Sequence, residues 1–200
     1  MPDITATPCR AAMDKSAGTA ALLAAARAQP RPLVIATTGL PAETAAALRE
    51  LARDVPVVFA PNFSLGVQVL AELVEQAVKR LGGGFDVEIL ELHHRKKIDA
   101  PSGTALRLAK AARAARSELT EVHARDGNVG ARSDDELGVV AVRGGDVIGD
   151  HTVFLLGQGE RIELTHRASS RDLFARGALR AARFVCGKPA GRYAFKDILA

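Results

Sequence analysis

Residues 33–64, LVIATTGLPAETAAALRELARDVPVVFAPNFS, decide the fold. Leu33 to Thr37 is a short apolar run that reads as a strand. Thr38-Gly39 makes a turn, and Pro41 stands where a first helical residue belongs, opening a helix to about Ala52. Val55 to Ala60 is a second apolar run, broken by Pro61-Asn62-Phe63-Ser64. Continuous apolar runs of this kind belong in a sheet covered on both faces. Residues 17–29, rich in Ala and Leu, add a helix in front, with Ser16 placed to cap it. Helix, strand, helix, strand in tight succession is the parallel, doubly wound pattern.

The chain changes character near residue 65. From Val67 to Leu81, the residues Leu70, Leu73, Val74, Ala77, Val78 and Leu81 fall on one helical face. Gly82-Gly83-Gly84 follows a helix and precedes a strand, the reverse of a dinucleotide loop, and reads as a C-cap and turn. Phe85 to Leu92 is the next strand, and Ser102 to about Arg116 a capped helix. Residues 124–136 are polar and read as a surface loop. Three strands follow, Leu137–Arg143, Val147–Leu156 and Arg161–Arg167. Their connections, Gly144-Gly145-Asp146 and Gly157-Gln158-Gly159-Glu160, suit hairpins. A last helix, Ser170–Val185, carries Phe174, Ala178, Ala181 and Val185 at core spacing. The fold class is therefore α/β. A partial Rossmann-like parallel α/β fragment over residues 1–65 precedes an α+β domain with a mixed β-sheet over 66–185. Residues 186–200 are expected to return toward the first domain.

The chemistry concentrates in Glu91-Leu92-His93-His94-Arg95-Lys96-Lys97-Ile98-Asp99-Ala100-Pro101-Ser102-Gly103-Thr104-Ala105. Pro101 stops the preceding segment and Ser102 caps the next helix. The N–H groups of that helix's first turn favour an anion, and Gly103 lets one approach. Two imidazoles, the side chains that titrate near neutral pH, stand just before this cradle. Cations, cradle and proton donor together suit a site that grips a carboxylate and protonates something beside it. A solvated basic loop with ordinary capping is the plain alternative. Metal binding by the His93–His94 pair is disfavoured, because adjacent strand residues point to opposite faces.

The segment resembles the signature of the 4-hydroxy-tetrahydrodipicolinate reductase (dihydrodipicolinate reductase) family, E-x-H-H-x-x-K-x-D-x-P-S-G-T-A, at every fixed position. Two later stretches also resemble family segments in order. Arg143 with Gly144 to Val153 is similar to R-x-G-D-x-x-G-x-H-T, and Glu163 to Arg171 to E-x-x-H-x-A-x-S-R. Taken alone, His151 and His166 read as hydrogen-bonded structural histidines. The resemblance spans roughly residues 33–199. It implies a nicotinamide-dependent reduction, using NADH or NADPH, of a cyclic dicarboxylate imine in the diaminopimelate route to lysine. His93 is then the general acid and Lys97 its assistant, holding substrate and stabilising charge. His94, Ser102, Gly103 and Thr104 contact the small-molecule dicarboxylate. Ala36, Thr37 and Thr38, and Ala60, Pro61, Asn62 and Phe63, correspond to the family's G-T-T-G and A-x-N-F/M-S loops beside nicotinamide and ribose. Ala36 replaces the first glycine of the former. Arg171 and Phe174 are placed by analogy near the cofactor. The resemblance also implies a homotetramer built by the C-terminal sheet.

Composition narrows the partners. With 48% hydrophobic residues among 200, the chain can bury a core. A net charge of +4 suits phosphate- or carboxylate-bearing ligands, while no Trp and one Tyr leave little for base stacking, so no nucleic-acid partner is expected. Cys9 and Cys186 lie far apart without metal-type spacing and read as lone thiols of a reducing compartment. No apolar run approaches the ~18 residues that span a bilayer, and the N-terminus lacks a signal pattern, so a cytoplasmic, membrane-free location is expected. Residues 1–16 contain no glycine, whereas a family member opens with a strand, a G-x-x-G-x-x-G turn and a helix. A βαβ unit takes about 30 residues, so the first half of the nucleotide domain is expected to be missing. Met13-Asp14-Lys15-Ser16 resembles the family's D-F-[ST] strand end, with Lys15 in place of the aromatic. A fragment of this kind exposes a sheet edge, and is expected to need a partner or oligomer for solubility. The competing reading is a non-catalytic remnant kept as a dicarboxylate-binding or oligomerisation module.

Overall fold

The computed structural model describes residues 11–14 and 18–199. Cys9, Lys15 and the cap expected at Ser16 lie outside the described residues. In chain order the first elements are β1 (Ala12–Asp14), α1 (Thr19–Ala28), β2 (Leu33–Ile35), α2 (Ala42–Leu51), β3 (Pro56–Phe59) and α3 (Leu65–Leu81). Then come β4 (Asp86–His93), α4 (Gly103–Ala115), β5 (Thr120–Val122), β6 (Glu136–Arg143), β7 (Asp150–Leu156) and β8 (Arg161–Arg167). The chain closes with α5 (Asp172–Val185) and β9 (Gly191–Tyr193), followed by a short 3-10 turn over Phe195–Leu199. They form two compact units, one of residues up to 65 with those from 172 onward, the other of residues 66–171.

The first unit is a parallel four-stranded sheet in the order β1-β2-β3-β9. Because strand side chains alternate between faces, the apolar runs supply two cores at once. Leu33, Ile35 and Val57 meet Leu23, Ala26, Leu48 and Leu51 from α1 and α2. Val34 and Val58 meet Phe63, Ala178, Ala181, Val185 and Phe195. The doubly covered parallel sheet expected from residues 33–64 is present. Pro41 sits one residue earlier than expected, preceding the helix with extended backbone (φ −53°, ψ 148°).

The expected boundary at residue 185 is corrected. Helix α5 belongs with the first unit, because its apolar face, Ala178, Ala181 and Val185, fills the side of the sheet that α1 and α2 leave open. Gly177 marks how closely it packs, since a Cβ there would lie 1.7 Å from the Phe63 carbonyl oxygen. The C-terminal segment returns as expected and adds β9 to β3. Cys186 is disulfide-bonded, which corrects the expectation of a lone thiol at this position.

The second unit is a five-stranded mixed sheet in the order β5-β6-β4-β7-β8, with β4 parallel to β6 and antiparallel to β7. Helices α3 and α4 cover one face, where Leu70, Val74, Val78, Leu108 and Ala112 pack on Val87, Ile89, Leu137, Val139, Val153 and Leu155. Gly82, with φ +64°, ends α3 as the glycine triplet predicts. Gly157–Glu160 closes the β7–β8 hairpin, its Gly157 N–H donating to the Glu160 carbonyl at 2.9 Å. Gly144–Asp146 is not a hairpin, because β4 lies between β6 and β7. A glycine-rich connection allows a tight reversal but does not record which strand stands between its ends. This connection instead crosses the end of β4. Gly144 N–H donates to the His93 carbonyl at 2.9 Å, and His94 N–H to the Val147 carbonyl at 2.7 Å. Strand β5 carries no sequence signal that singled it out.

Candidate active site

Strand β4 alternates strictly, so Glu91 and His93 share the face toward α3 and α4 while Leu92 and His94 turn away. Glu91 is fully buried, an expensive place for a carboxylate unless every lone pair finds a donor. It finds four. Arg143, at the end of β6, donates from Nη2 to Oε1 at 2.8 Å and from Nη1 to Oε2 at 3.0 Å. The Ser102 amide donates to Oε1 at 3.1 Å, and His93 Nδ1 meets Oε2 in a short contact. Burial pushes the Glu91 carboxyl up, but these donors, Arg143 foremost, overrule it and hold it below its ordinary value.

His93 is buried, and burial is the main reason its imidazole titrates below its ordinary value. Glu91 pulls the other way through hydrogen bond and charge, while the Lys97 and Arg143 cations add to the lowering. His151 stands opposite Glu91 in the β4–β7 ladder, its ring edge-on to His93 with centroids 5.1 Å apart. Burial first, then the His93 charge, pushes His151 down to about 4. Its Nε2 lies 3.1 Å from Ser102 Oγ. That hydroxyl also accepts from the Ala105 amide at 3.2 Å, so Ser102 is the N-cap of α4 as expected.

The loop between β4 and α4 brings most of the remaining candidates to the same place. Arg143 Nη2 also donates to the Asp99 carbonyl at 2.7 Å, tying the loop to the Glu91 carboxylate. Lys97 Nζ is held by Asp99 at 2.7 and 2.8 Å, and this ammonium holds the Asp99 carboxyl below its ordinary value. His94 Nε2 lies 3.3 Å from Arg171 Nη2. Arg171, read by analogy as a cofactor neighbour, is therefore placed beside the loop. Gly103 and Thr104 begin α4, Gly103 exposed and Thr104 half-buried. Ser102 is 2% exposed with its hydroxyl committed to cap and His151, so its contribution is to hold the cradle's shape.

Glu91, His93 and His151 place one ligand atom each within 4.8 Å of one another. The set suits no cation, because the four donors on Glu91 already occupy the lone pairs a metal would need.

The other candidates lie in the first unit, at the carboxyl ends of β2 and β3, where loops of an open parallel sheet receive ligands. Thr37 Oγ1 accepts from Thr19 Oγ1 at 3.0 Å, and Thr38 is exposed. Asn62 Oδ1 accepts from the Ser64 amide at 2.7 Å, fixing the loop after β3. Ala36 is half-buried, Pro61 exposed and Ala60 buried. Phe63 is a core residue, edge-on to Phe195 with centroids 4.9 Å apart, so backbone is what it presents to a ligand. Small hydroxylated side chains and backbone at two neighbouring strand ends fit a nicotinamide and its ribose.

Sequence reasoning did not single out Glu91, Arg143 or His151 as parts of the site. The Glu91–His93 spacing carried a signal, since residues i and i+2 of a strand share a face. Arg143 and His151 enter through strand pairing.

The family model described as dihydrodipicolinate reductase, C-terminus, matches residues 66–199, and that described as dihydrodipicolinate reductase, N-terminus, matches residues 13–63. The chain is 54% identical over 169 residues to a protein of Myxococcus xanthus named 4-hydroxy-tetrahydrodipicolinate reductase, covering 84% of this chain and 62% of the relative. A protein of the same name from Cupriavidus metallidurans is 46% identical over 199 residues, covering 98% of this chain and 75% of the relative. The dipicolinate-bound dihydrodipicolinate reductase of Paenisporosarcina sp. TG-14 is similar in structure, with TM-score 0.70 and 25% identity over 92% of this chain and 71% of that one. The chain spans 62% to 64% of the length of the first three relatives it matches. The chain belongs to the dihydrodipicolinate reductase family.

Proposed function

We propose that this chain is a nicotinamide-dependent reductase of a cyclic dicarboxylate imine, 4-hydroxy-tetrahydrodipicolinate. The observation that carries the reading is the loop 93–104, which joins a proton-carrying imidazole, an ammonium and a helix N-terminus around one carboxylate-anchored frame. A reduced nicotinamide, when bound, would supply the hydride, and the small residues at Ala36–Thr38 and Ala60–Phe63 would hold its amide and ribose. The substrate's hydroxyl leaves as water with a proton from the neighbouring carbon, giving a C=C bond conjugated with the imine. Hydride adds at the carbon that bore the hydroxyl, and His93 delivers a proton from Nε2 to the carbon beside it, restoring the imine. Lys97 leaves Asp99 for a substrate carboxylate, and the first turn of α4 at Gly103 and Thr104 receives that anion. His94 orients the substrate. A dianion beside His93 favours the charged imidazole and offsets the lowering imposed by burial.

The same reading takes NADH or NADPH as cofactor, a cytoplasmic location and a homotetramer. No helix among the described residues is long and apolar enough to cross a membrane. The sheet face opposite α3 and α4 presents Val140 and Val142, 39% and 43% exposed, a surface suited to a second copy.

The test is a coupled assay with dihydrodipicolinate synthase, its substrates, and NADH or NADPH. His93→Ala and Lys97→Ala are each expected to lower turnover by about 10²–10⁴-fold, the range for general acid catalysis. Unimpaired turnover in either variant removes that residue's role. Light scattering that finds a monomer at micromolar concentration removes the tetramer.

A further inference from the structure

We infer that Glu91, clamped by Arg143, is a positioning residue that fixes the tautomer of His93 and reserves its Nε2 for proton transfer. The catalytic meaning of this inference rests on the role proposed for His93, but the geometry stands by itself. An ionised carboxylate only accepts, so a contact between Glu91 Oε2 and His93 Nδ1 places a proton on Nδ1. Nε2 is then the nitrogen with a lone pair in the neutral ring and with the exchangeable proton in the charged one.

Glu91 cannot turn away from this task. Its two oxygens take the bidentate Arg143 fork and the Ser102 amide as well as the imidazole, and the side chain is fully buried. Arg143 itself is tied to the Asp99 carbonyl, so the frame that aims His93 is continuous with the loop carrying Lys97. On the far side of the ring, a Cβ at Gly149 would stand 2.9 Å from His93 Nε2. The missing side chain leaves space at the nitrogen that must reach a substrate. The charged and titratable groups acting on His93 are Glu91 on its own strand, Lys97 in the following loop, Arg143 on β6 and His151 on β7. Glu91 favours the imidazolium, and Arg143, besides orienting Glu91, opposes it.

The experiment is long-range 1H–15N correlation spectroscopy of the full chain with labelled histidine, His93 being assigned by the peaks lost in His93→Gln. Neutral His93 is expected as the Nδ1–H tautomer. In Glu91→Gln, Arg143 and the Ser102 amide claim the carboxamide oxygen and its NH2 faces the imidazole. The proton then moves to Nε2 and the ring titrates at lower pH. Turnover is expected to fall on the order of 100-fold with KM little changed, the mark of an interaction made in the transition state. Arg143→Gln is expected to keep the Nδ1–H tautomer and raise the titration point of His93, the opposite sign. A wild-type His93 whose neutral ring carries its proton on Nε2 overturns the inference whether or not the variants fold. An unchanged tautomer and titration in a folded Glu91→Gln overturns it as well. Full turnover in His93→Ala refutes the acid role separately, and leaves the tautomer measurement to decide the positioning by Glu91.

Discussion

His151 gives a quantitative test that needs no substrate. Its ordinary value is 6.5 and burial beside His93 lowers it to about 4. Between those values the unfolded chain takes up a proton that the folded chain refuses, so stability falls as pH falls from about 6.5 to about 4 and the loss then levels off. Linkage over this shift gives about 2 kcal/mol lost between pH 7 and pH 5, and about 3 kcal/mol by pH 4. His151→Gln keeps an amide nitrogen near Ser102 Oγ and cannot titrate. Urea unfolding of both proteins, followed by circular dichroism across this range, isolates the contribution as the pH dependence of their difference. His93 and His166 are also lowered by burial and add slopes of the same sign, which the difference largely cancels. A difference that stays flat from pH 7 to pH 4.5 refutes the reasoning and means that His151 is solvated.

Gly177→Ala tests the packing of α5. Helix propensity alone favours alanine by about 0.8–1.0 kcal/mol, but a Cβ 1.7 Å from the Phe63 oxygen forces the helix off its loop. A net loss of about 1–3 kcal/mol is expected in thermal unfolding, and a stabilised variant refutes the contact. Arg116 is buried and donates to the carbonyl oxygens of Gly82, Phe85 and Asp134. Arg116→Met leaves them without the guanidinium and is expected to cost about 2–4 kcal/mol by urea titration. For the proposed reaction, Gly149→Ala is expected to lower turnover more than it weakens substrate binding, because the added methyl meets His93 Nε2 first. Equal losses in binding and turnover refute that assignment.

Much of this protein was legible from its order of residues. Residues 33–64 alone fixed a parallel, doubly covered sheet, because a run such as Leu33-Val34-Ile35 must bury both of its faces. The Ser102 cap, the Gly82 stop and the β7–β8 hairpin followed from local backbone chemistry. The segment from His93 to Thr104 is legible as one candidate loop, since cation, imidazole and helix start are neighbours in sequence. What tertiary structure decided is what depends on strand order. That β4 enters between β6 and β7 sets Arg143 and His151 on either side of Glu91, from 52 and 60 residues away. It also returned α5 to the first sheet, whose open face only a distant helix could cover. Local signals reach a few residues along the chain, whereas a buried carboxylate is held by whatever the sheet brings beside it.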